Sequence, residues 1–264
     1  MDIGFIISGF AVGLLVGITG VGGGSLMTPL LVFLFGFKPA VAVGTDLLYA
    51  AITKTGGVLV HHNTHKSVDW HVVKWLALGS LPASVATIFL IKHLLKLEKD
   101  ITGIITFTLG IALILTAIAV LIRCYVTRKQ IREIEDSLIS SGRFRQLQIP
   151  ATVLVGVILG ILVTISSVGA GALGTVAILF LYPKMSTLKV VGTDLAHAIP
   201  LTAVAGLGHW TLGHIDFMLL GTLLIGSLPG IWIGSHVSAK IPEKTLRPLL
   251  ASLLLIIGLK FVLA

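Results

Sequence analysis

Charge is what this sequence has least of. Its 19 Lys+Arg and 11 Asp+Glu make up 11% of 264 residues, where an ordinary soluble domain carries about 25%. A soluble globule needs polar groups over its whole outside, and these are too few to cover it. A water-soluble enzyme and a disordered chain are excluded on that ground. Cysteine is nearly missing too: Cys124 stands alone, which rules out an intrachain disulfide and a secreted disulfide scaffold. Enzyme signatures are lacking. There is no His-Glu-x-x-His, no Gly-x-Ser-x-Gly, no Walker A and no dinucleotide fingerprint after a strand, so no catalytic residue, cofactor or resident metal is expected. A basic leader is lacking as well. The chain opens Met1-Asp2-Ile3-Gly4 and stays apolar well past signal length, so this stretch is read as a first membrane segment.

Apolar residues fill the space. They account for 55% of the chain, with 30 glycines, and mean hydropathy is +1.04. The bilayer is the solvent in which such a surface is stable, and glycine is common in membrane helices because it lets backbones approach. The net charge of +8 fits an excess of Lys/Arg on one membrane side better than nucleic-acid binding.

Eight apolar stretches stand out, at 3–35, 40–60, 70–91, 101–122, 150–182, 188–208, 217–238 and 246–263. Each approaches or exceeds the roughly 20 residues that span a bilayer. One polar region, 123–149, carries Arg123, Arg128, Lys129, Arg132, Arg143 and Arg145. It divides the chain into a first transmembrane repeat (1–122), a basic linker (123–149) and a second repeat (150–264). The repeats are legible as matches. Gly44-Thr45-Asp46-Leu47 returns as Gly192-Thr193-Asp194-Leu195, and Gly79-Ser80-Leu81-Pro82 as Gly226-Ser227-Leu228-Pro229. His62 and Asp69 return as His209 and Asp216, and Val21-Gly22-Gly23-Gly24 as Val168-Gly169-Ala170-Gly171. All lie 147 or 148 positions apart. Such duplication is typical of secondary transporters.

The first stretch of each repeat is too long for one span and is interrupted midway. Gly20-Val21-Gly22-Gly23-Gly24 breaks one, and Ser166-Ser167-Val168-Gly169-Ala170-Gly171 the other. Glycine clusters leave backbone bonds open, which lipid tolerates only where the backbone is buried in protein or lines a cavity. If each broken unit crossed once, nine basic residues would fall on either side. If each returns to its starting side, Lys38, Lys92, Lys96, Lys99 and Lys260 face thirteen others, and only Lys54 remains inside the membrane. The second arrangement has the bias that membrane proteins show. It places the linker in the cytoplasm and both termini outside, and it inverts the repeats. The expected fold is therefore all-α and polytopic, with two inverted repeats of one broken unit plus three spanning helices, eight to ten membrane segments in all.

The candidate residues follow. Asp46 and Asp194 sit in apolar segments, where an aspartate costs about 2.5–3.5 kcal/mol unless it faces a cavity or a partner. They read either as a proton or ion relay, or as carboxylates held at a helix start beside Thr45 and Thr193. Lys54, two turns beyond Asp46, is placed to offset its charge without direct contact. His197 lies one turn beyond Asp194 and suits a proton-shuttling pair; Tyr49 holds that place in the first repeat. Each glycine break opens a new helix whose bare N–H groups suit an anion. This makes Gly22, Gly23, Gly24, Ser25 and Thr28, with Gly169, Gly171 and Thr175, the binding candidates. Metal binding by His61, His62, His65 and His71, or by His209 and His214, is the competing reading. No cysteine and few acids accompany them, and interfacial histidines are the plainer account.

The run Gly17-Ile18-Thr19-Gly20-Val21-Gly22-Gly23-Gly24-Ser25, with Pro29 and then Gly44-Thr45-Asp46, resembles the TauE/SafE sulfite exporter family, also called toluene sulfonate uptake permeases. A weaker copy at 160–171 and 192–194 completes the resemblance over essentially the whole chain. It implies a prokaryotic-type, multi-pass plasma-membrane permease for sulfite or organosulfonates, acting as a secondary and proton-linked carrier. Thr164, Ile165, Ser166 and Ala170 depart from the family's glycine pattern, replacing expected small or Gly positions, so the two half-sites are expected to be chemically unequal. The expected partners are a small anion and the lipid bilayer, with oligomer formation left open. A divalent-cation permease, or a non-transporting membrane enzyme or partner subunit, is the alternative.

Overall fold

The computed structural model describes residues 3–19, 24–65, 68–125, 143–237 and 243–263. Among these it is all helical. The first repeat holds α1 (Ile3–Thr19), α2 (Gly24–Phe33), α3 (Pro39–His65), α4 (Trp70–Lys96) and α5 (Thr102–Tyr125). The second holds α6 (Arg143–Ser166), α7 (Ala172–Leu181), α8 (Thr187–Thr211), α9 (Phe217–Val237) and α10 (Glu243–Leu263). Every expected apolar stretch is helical, and the two overlong ones are each two helices. α6 begins at Arg143, inside the segment read as linker; residues 126–142 lie outside the described ones. Among the described residues, five helices are long and apolar enough to cross a membrane. Large apolar side chains such as Leu78, Phe89 and Leu90 on α4 or Trp232 on α9 point outward. In water that surface would aggregate; in lipid it is solvated.

The helices pair across the repeats rather than within them. α1 packs on α9, and its counterpart α6 packs on α4; α3 packs on α8, and α5 on α10. Glycine sets the first two seams. A Cβ on Gly226 would stand 2.0 Å from the Ile6 carbonyl oxygen, on Gly230 2.4 Å from that of Phe10, and on Gly234 2.3 Å from that of Leu14. Gly156 meets the Leu76 carbonyl and Gly160 that of Ser80 in the same way. Side-chain-free positions four apart let helix backbones touch where no hydrophobic force draws them together. In both seams residue numbers rise together, so α1 runs parallel to α9 and α4 to α6. Gly44 faces His209 while Gly206 faces Leu48, so α3 and α8 run antiparallel. Gly110 meets Val262 while Gly258 meets Ile114, so α5 and α10 do too. Counterpart helices that cross antiparallel are related by an axis perpendicular to them, which is the inverted arrangement expected from the charge bias.

Both broken units return to the side they start from. The Phe5 ring at the start of α1 lies 4.8 Å from Phe35 and 5.7 Å from Phe37, just beyond α2. At the start of α6, Gln148 Nε2 donates to the Leu181 carbonyl over 2.7 Å, and Thr152 Oγ1 lies 2.8 Å from the Tyr182 hydroxyl, at the end of α7. Each unit is a helical hairpin with one short arm of 10 residues. α4 and α9 are started by acid caps: Asp69 accepts from the His71 and Val72 amides, and Asp216 from the Leu219 amide over 2.9 Å.

The seam makes a sharp prediction. Gly226→Ala forces α1 off α9 and is expected to destabilise the fold by about 1–3 kcal/mol, read as a lower unfolding temperature in detergent. An unchanged unfolding temperature would contradict this contact.

Candidate functional site

The two Gly-Thr-Asp-Leu motifs lie two turns inside α3 and α8, not at their starts. Their threonines therefore do not cap their own helices. Thr45 Oγ1 accepts from the Asp216 amide over 3.1 Å, and Thr193 Oγ1 from the Asp69 amide over 2.9 Å. Each motif thus holds the cap residue of the opposite repeat, and this symmetric pair of bonds ties the α3–α8 crossing together.

The aspartates turn toward the hairpins. Asp46 Oδ2 accepts from Thr28 Oγ1 in α2 over 2.5 Å. Asp194 Oδ2 accepts from Thr175 Oγ1 in α7 over 2.8 Å. Thr28 and Thr175 are repeat counterparts lying near the starts of the short arms, so each carboxylate occupies the positive end of a half-helix. Asp46 is fully buried, as is Thr28; Asp194 is 2% exposed and Thr175 3%. The second oxygen of each carboxylate, Oδ1, has no hydrogen-bond partner among the described residues. The two sequence readings of these aspartates meet here: the carboxylate is held at a helix start, but at that of the half-helix opposite, and half its bonding capacity is unused.

The second break is fully described. Ser167 has φ +59°, Gly169 +112° and Gly171 +138°, a sequence of turns that only small residues follow. Ser166 closes α6: its hydroxyl donates to the Leu162 carbonyl over 2.6 Å and accepts from the Val168 amide over 3.2 Å. Gly171 precedes α7 with no side-chain cap, and the Ala170 and Gly171 amides make no hydrogen bond among the described residues. The same Thr175 hydroxyl also lies against the Gly171 carbonyl, so its one proton is shared between the two acceptors. Two of the departures from the glycine pattern have a structural role. Ser166, the counterpart of Thr19, bonds the backbone at the end of α6, and Thr164, where the first repeat has Gly17, bonds Ser84 Oγ through its Oγ1 over 2.7 Å, fastening α6 to α4. Gly22 and Gly23 of the first break lie outside the described residues. Gly24 opens α2, and the Ser25 side chain is likewise outside the description.

Residues from the opposite repeat close over the second break. Ser167 stands beside the Asp46 carboxylate, its hydroxyl unpaired among the described residues. Lys54, only 6% exposed, donates from Nζ to the Ala170 carbonyl over 2.8 Å. Its charge acts on both Asp46 and Asp194. The site therefore gathers Thr28, Asp46 and Lys54 with Ser167, Ala170, Thr175 and Asp194. Ser167 and the Ala170 carbonyl were not singled out from the sequence; a serine inside a glycine-containing break was the available signal.

His197 does not pair with Asp194. Its Nε2 lies 2.8 Å from Ser80 Oγ on α4, which corrects the expected one-turn pair: Asp194 is turned to Thr175 instead. In the first repeat Tyr49 stands beside Ser227, its buried hydroxyl unbonded among the described residues. The matched serines thus face matched aromatic partners. His209, in the last turn of α8, is fully buried within the protein. Its Nε2 lies 2.9 Å from the Thr164 carbonyl, and its Nδ1 3.2 Å from His214 Nδ1. The carbonyl can only accept, so Nε2 carries the proton, and Nδ1 accepts from His214. His71 Nε2 accepts from Trp75 Nε1 over 3.1 Å. The side chains of His61, His62 and His65 lie outside the described residues, and among the described ones no metal-holding group of His, Cys, Asp or Glu forms.

Inverted repeats, paired helical hairpins and buried ionisable groups where the hairpins meet the crossing helices make an architecture suited to membrane transport. The family model described as Sulfite exporter TauE/SafE matches residues 5–261, and the chain belongs to that family. It is 39% identical over 262 residues to the "Probable membrane transporter protein YjnA" of Bacillus subtilis (strain 168), covering 99% of this chain and 100% of the relative. It is 29% identical over 270 residues to the "Probable membrane transporter protein MJ0441" of Methanocaldococcus jannaschii, covering 96% and 92%. No solved structure matches. The protein is a multi-pass membrane transporter.

Proposed function

We propose that this transporter is a proton-coupled secondary carrier of a small sulfur-containing oxyanion, sulfite or an organosulfonate, working by alternating access. The observation that carries the reading is the seat of the two aspartates. Each carboxylate occupies a half-helix N-terminal end, the place a substrate anion would take. A tethered anion there is a stand-in for the free one. Protonating it removes its charge and opens the positive end to the substrate, so proton and anion move together. Asp46 and Asp194 are the coupling groups in this reading, with His197 as an accessory through Ser80. The two breaks hold the anion: Gly22, Gly23, Gly24, Ser25 and Thr28 on one side, Gly169, Gly171 and Thr175 on the other. The family's description as sulfite exporter supports the choice of anion.

The same reading places the protein in a prokaryotic-type plasma membrane. It keeps residues 1–122 and 150–264 as the repeats, the 123–149 linker in the cytoplasm and both termini outside. Cysteine-accessibility mapping on a chain lacking Cys124 checks the topology: labelling of the linker and of position 264 from the same face would overturn it.

Flux into proteoliposomes tests the function. Sulfite, methanesulfonate, sulfate, Mn²⁺ and Zn²⁺ are offered with and without an imposed pH gradient. Acid-driven uptake of sulfite or methanesulfonate is expected. Uptake of a divalent cation and of no anion would replace this reading with a cation permease built on the aspartates.

A further inference from the structure

The Lys54 ammonium lies at the centre of the inverted arrangement. In the antiparallel pairing of α3 and α8, Gly44 faces His209 and Leu48 faces Gly206. Carried along the helices, that register brings position 53 opposite its own repeat counterpart, position 201. The pseudo-two-fold axis therefore passes beside Lys54. Asp46 lies about two turns to one side and Asp194 about two turns to the other, which explains why the one ammonium acts on both carboxylates and on His197. Lys54 is also where the symmetry fails. Carrying the Gly-Thr-Asp-Leu match along the helix makes its counterpart Thr202. That hydroxyl is spent within its own helix, donating to the Ala198 carbonyl over 2.8 Å.

Among the described residues Lys54 makes a single hydrogen bond, to Ala170 of the second break, although an ammonium has three donors. The helices and the break that flank it carry buried polar atoms unpaired among the described residues: Asp46 Oδ1, Asp194 Oδ1 and Ser167 Oγ. A backbone carbonyl is a weak partner for a buried full charge, which a membrane interior leaves unpaired only at high cost.

We propose that Lys54 is the fixed cation of a single substrate site on the pseudo-two-fold axis, and that it selects monoanions, R–SO3⁻ or HSO3⁻, over dianions. The proposal rests on the anion reading above and gives it a place and a charge rule. Arg123, in the last turn of α5, also acts on Asp194; among the three groups of the site itself, both carboxylates ionised leave one negative charge, which repels an anion. With both protonated they sum to one positive charge, which one monoanion neutralises and a dianion overshoots. Substrate binding draws Nζ away from Ala170. The second hairpin then loses its Lys54 hydrogen bond to α3 when the site is filled, which links occupancy to hairpin movement. Two symmetric half-sites so converge on one asymmetric cation, and one anion binds per chain.

Binding of methanesulfonate and of sulfate to the detergent-purified full chain at acid pH tests the charge rule, by titration calorimetry. The wild-type protein is expected to favour methanesulfonate by about tenfold or more. Equal or tighter binding of sulfate overturns the proposal and leaves the anion reading standing. If wild type binds and transports no anion of either charge, the anion reading itself falls, and Lys54 with it. Variants then separate binding from folding. Lys54→Met is expected to lose methanesulfonate binding, and Lys54→Arg to keep it. The exchanged variant Lys54→Thr/Thr202→Lys, which moves the ammonium to the equivalent place in the other repeat, is expected to recover it. An unaltered affinity in Lys54→Met, or a monodisperse exchanged variant with no binding, overturns the proposal. A merely structural lysine would not shift the monoanion-to-dianion ratio.

Discussion

Asp194→Asn and Asp46→Asn are each expected to cut acid-driven uptake by about a hundredfold, near the top of the range for coupling between two sites, while leaving anion exchange at constant pH measurable. The asparagine keeps the size of the side chain, and its carbonyl oxygen still accepts from Thr175 or Thr28, so the hairpin stays docked. What it loses is the charge that competes with substrate for the half-helix end, and with it the proton. The variant is fixed in the neutral form that admits the anion. Proteoliposome uptake with an inward proton gradient, run beside counterflow with no gradient, separates the two functions. Full acid-driven uptake in both variants would take the carboxylates out of the coupling step. Loss of counterflow and uptake together would make them structural anchors of the hairpins.

The inverted fold was legible in the sequence because it leaves traces that do not depend on tertiary detail. Hydropathy marks spans, the 147–148 spacing marks the repeats, and the distribution of Lys and Arg separates returning hairpins from crossing ones. The hairpins themselves were legible as stretches too long for one span with glycine in the middle. The seam was partly hidden. Gly79 and Gly226 stood out because their neighbours match; Gly9 and Gly13 return as Gly156 and Gly160 at the same 147 spacing, but their neighbours differ, and which helices they bring together is decided by the close approach of α1 to α9 and α4 to α6. The site was legible residue by residue but not as a set of contacts. Asp194 and His197 share a helix at one-turn spacing, which permits a pair. Their partners are decided by α7 and α4, whose approach no local pattern encodes. Thr45 and Thr193 bond across the repeats for the same reason. Lys54 was visible as a lone intramembrane charge, and its distance from Asp46 was read correctly as too long for contact. Its reach to Ala170, 116 positions on, follows from the repeat symmetry rather than from its neighbours.

The two half-sites are unequal at one position that carries a strong expectation. In the second repeat Gly174 lies directly under the carboxylate: a Cβ there would stand 2.0 Å from Asp194 Oδ1 and 3.0 Å from Cγ. In the first repeat the corresponding residue is Met27, fully buried, so Asp46 reaches Thr28 past a side chain while Asp194 reaches Thr175 across bare backbone. Gly174→Ala therefore evicts the Asp194 carboxylate from the start of α7 without touching any ionisable group. Alanine is the better helix former of the two, so the short arm itself is not weakened. Acid-driven uptake is expected to fall about as far as in Asp194→Asn, since both changes remove the same charge from the same half-helix end. The double variant Gly174→Ala/Asp194→Asn is then expected to be no worse than either single one, because residues in contact do not contribute independently. Multiplying losses would mean that Gly174 acts through the packing of α7 and not through the carboxylate. A matched change in the first repeat, Met27→Ala, removes bulk instead of adding it and is expected to leave the Thr28–Asp46 bond in place. That contrast puts the steric sensitivity of coupling in the second hairpin, the one whose break Lys54 already holds.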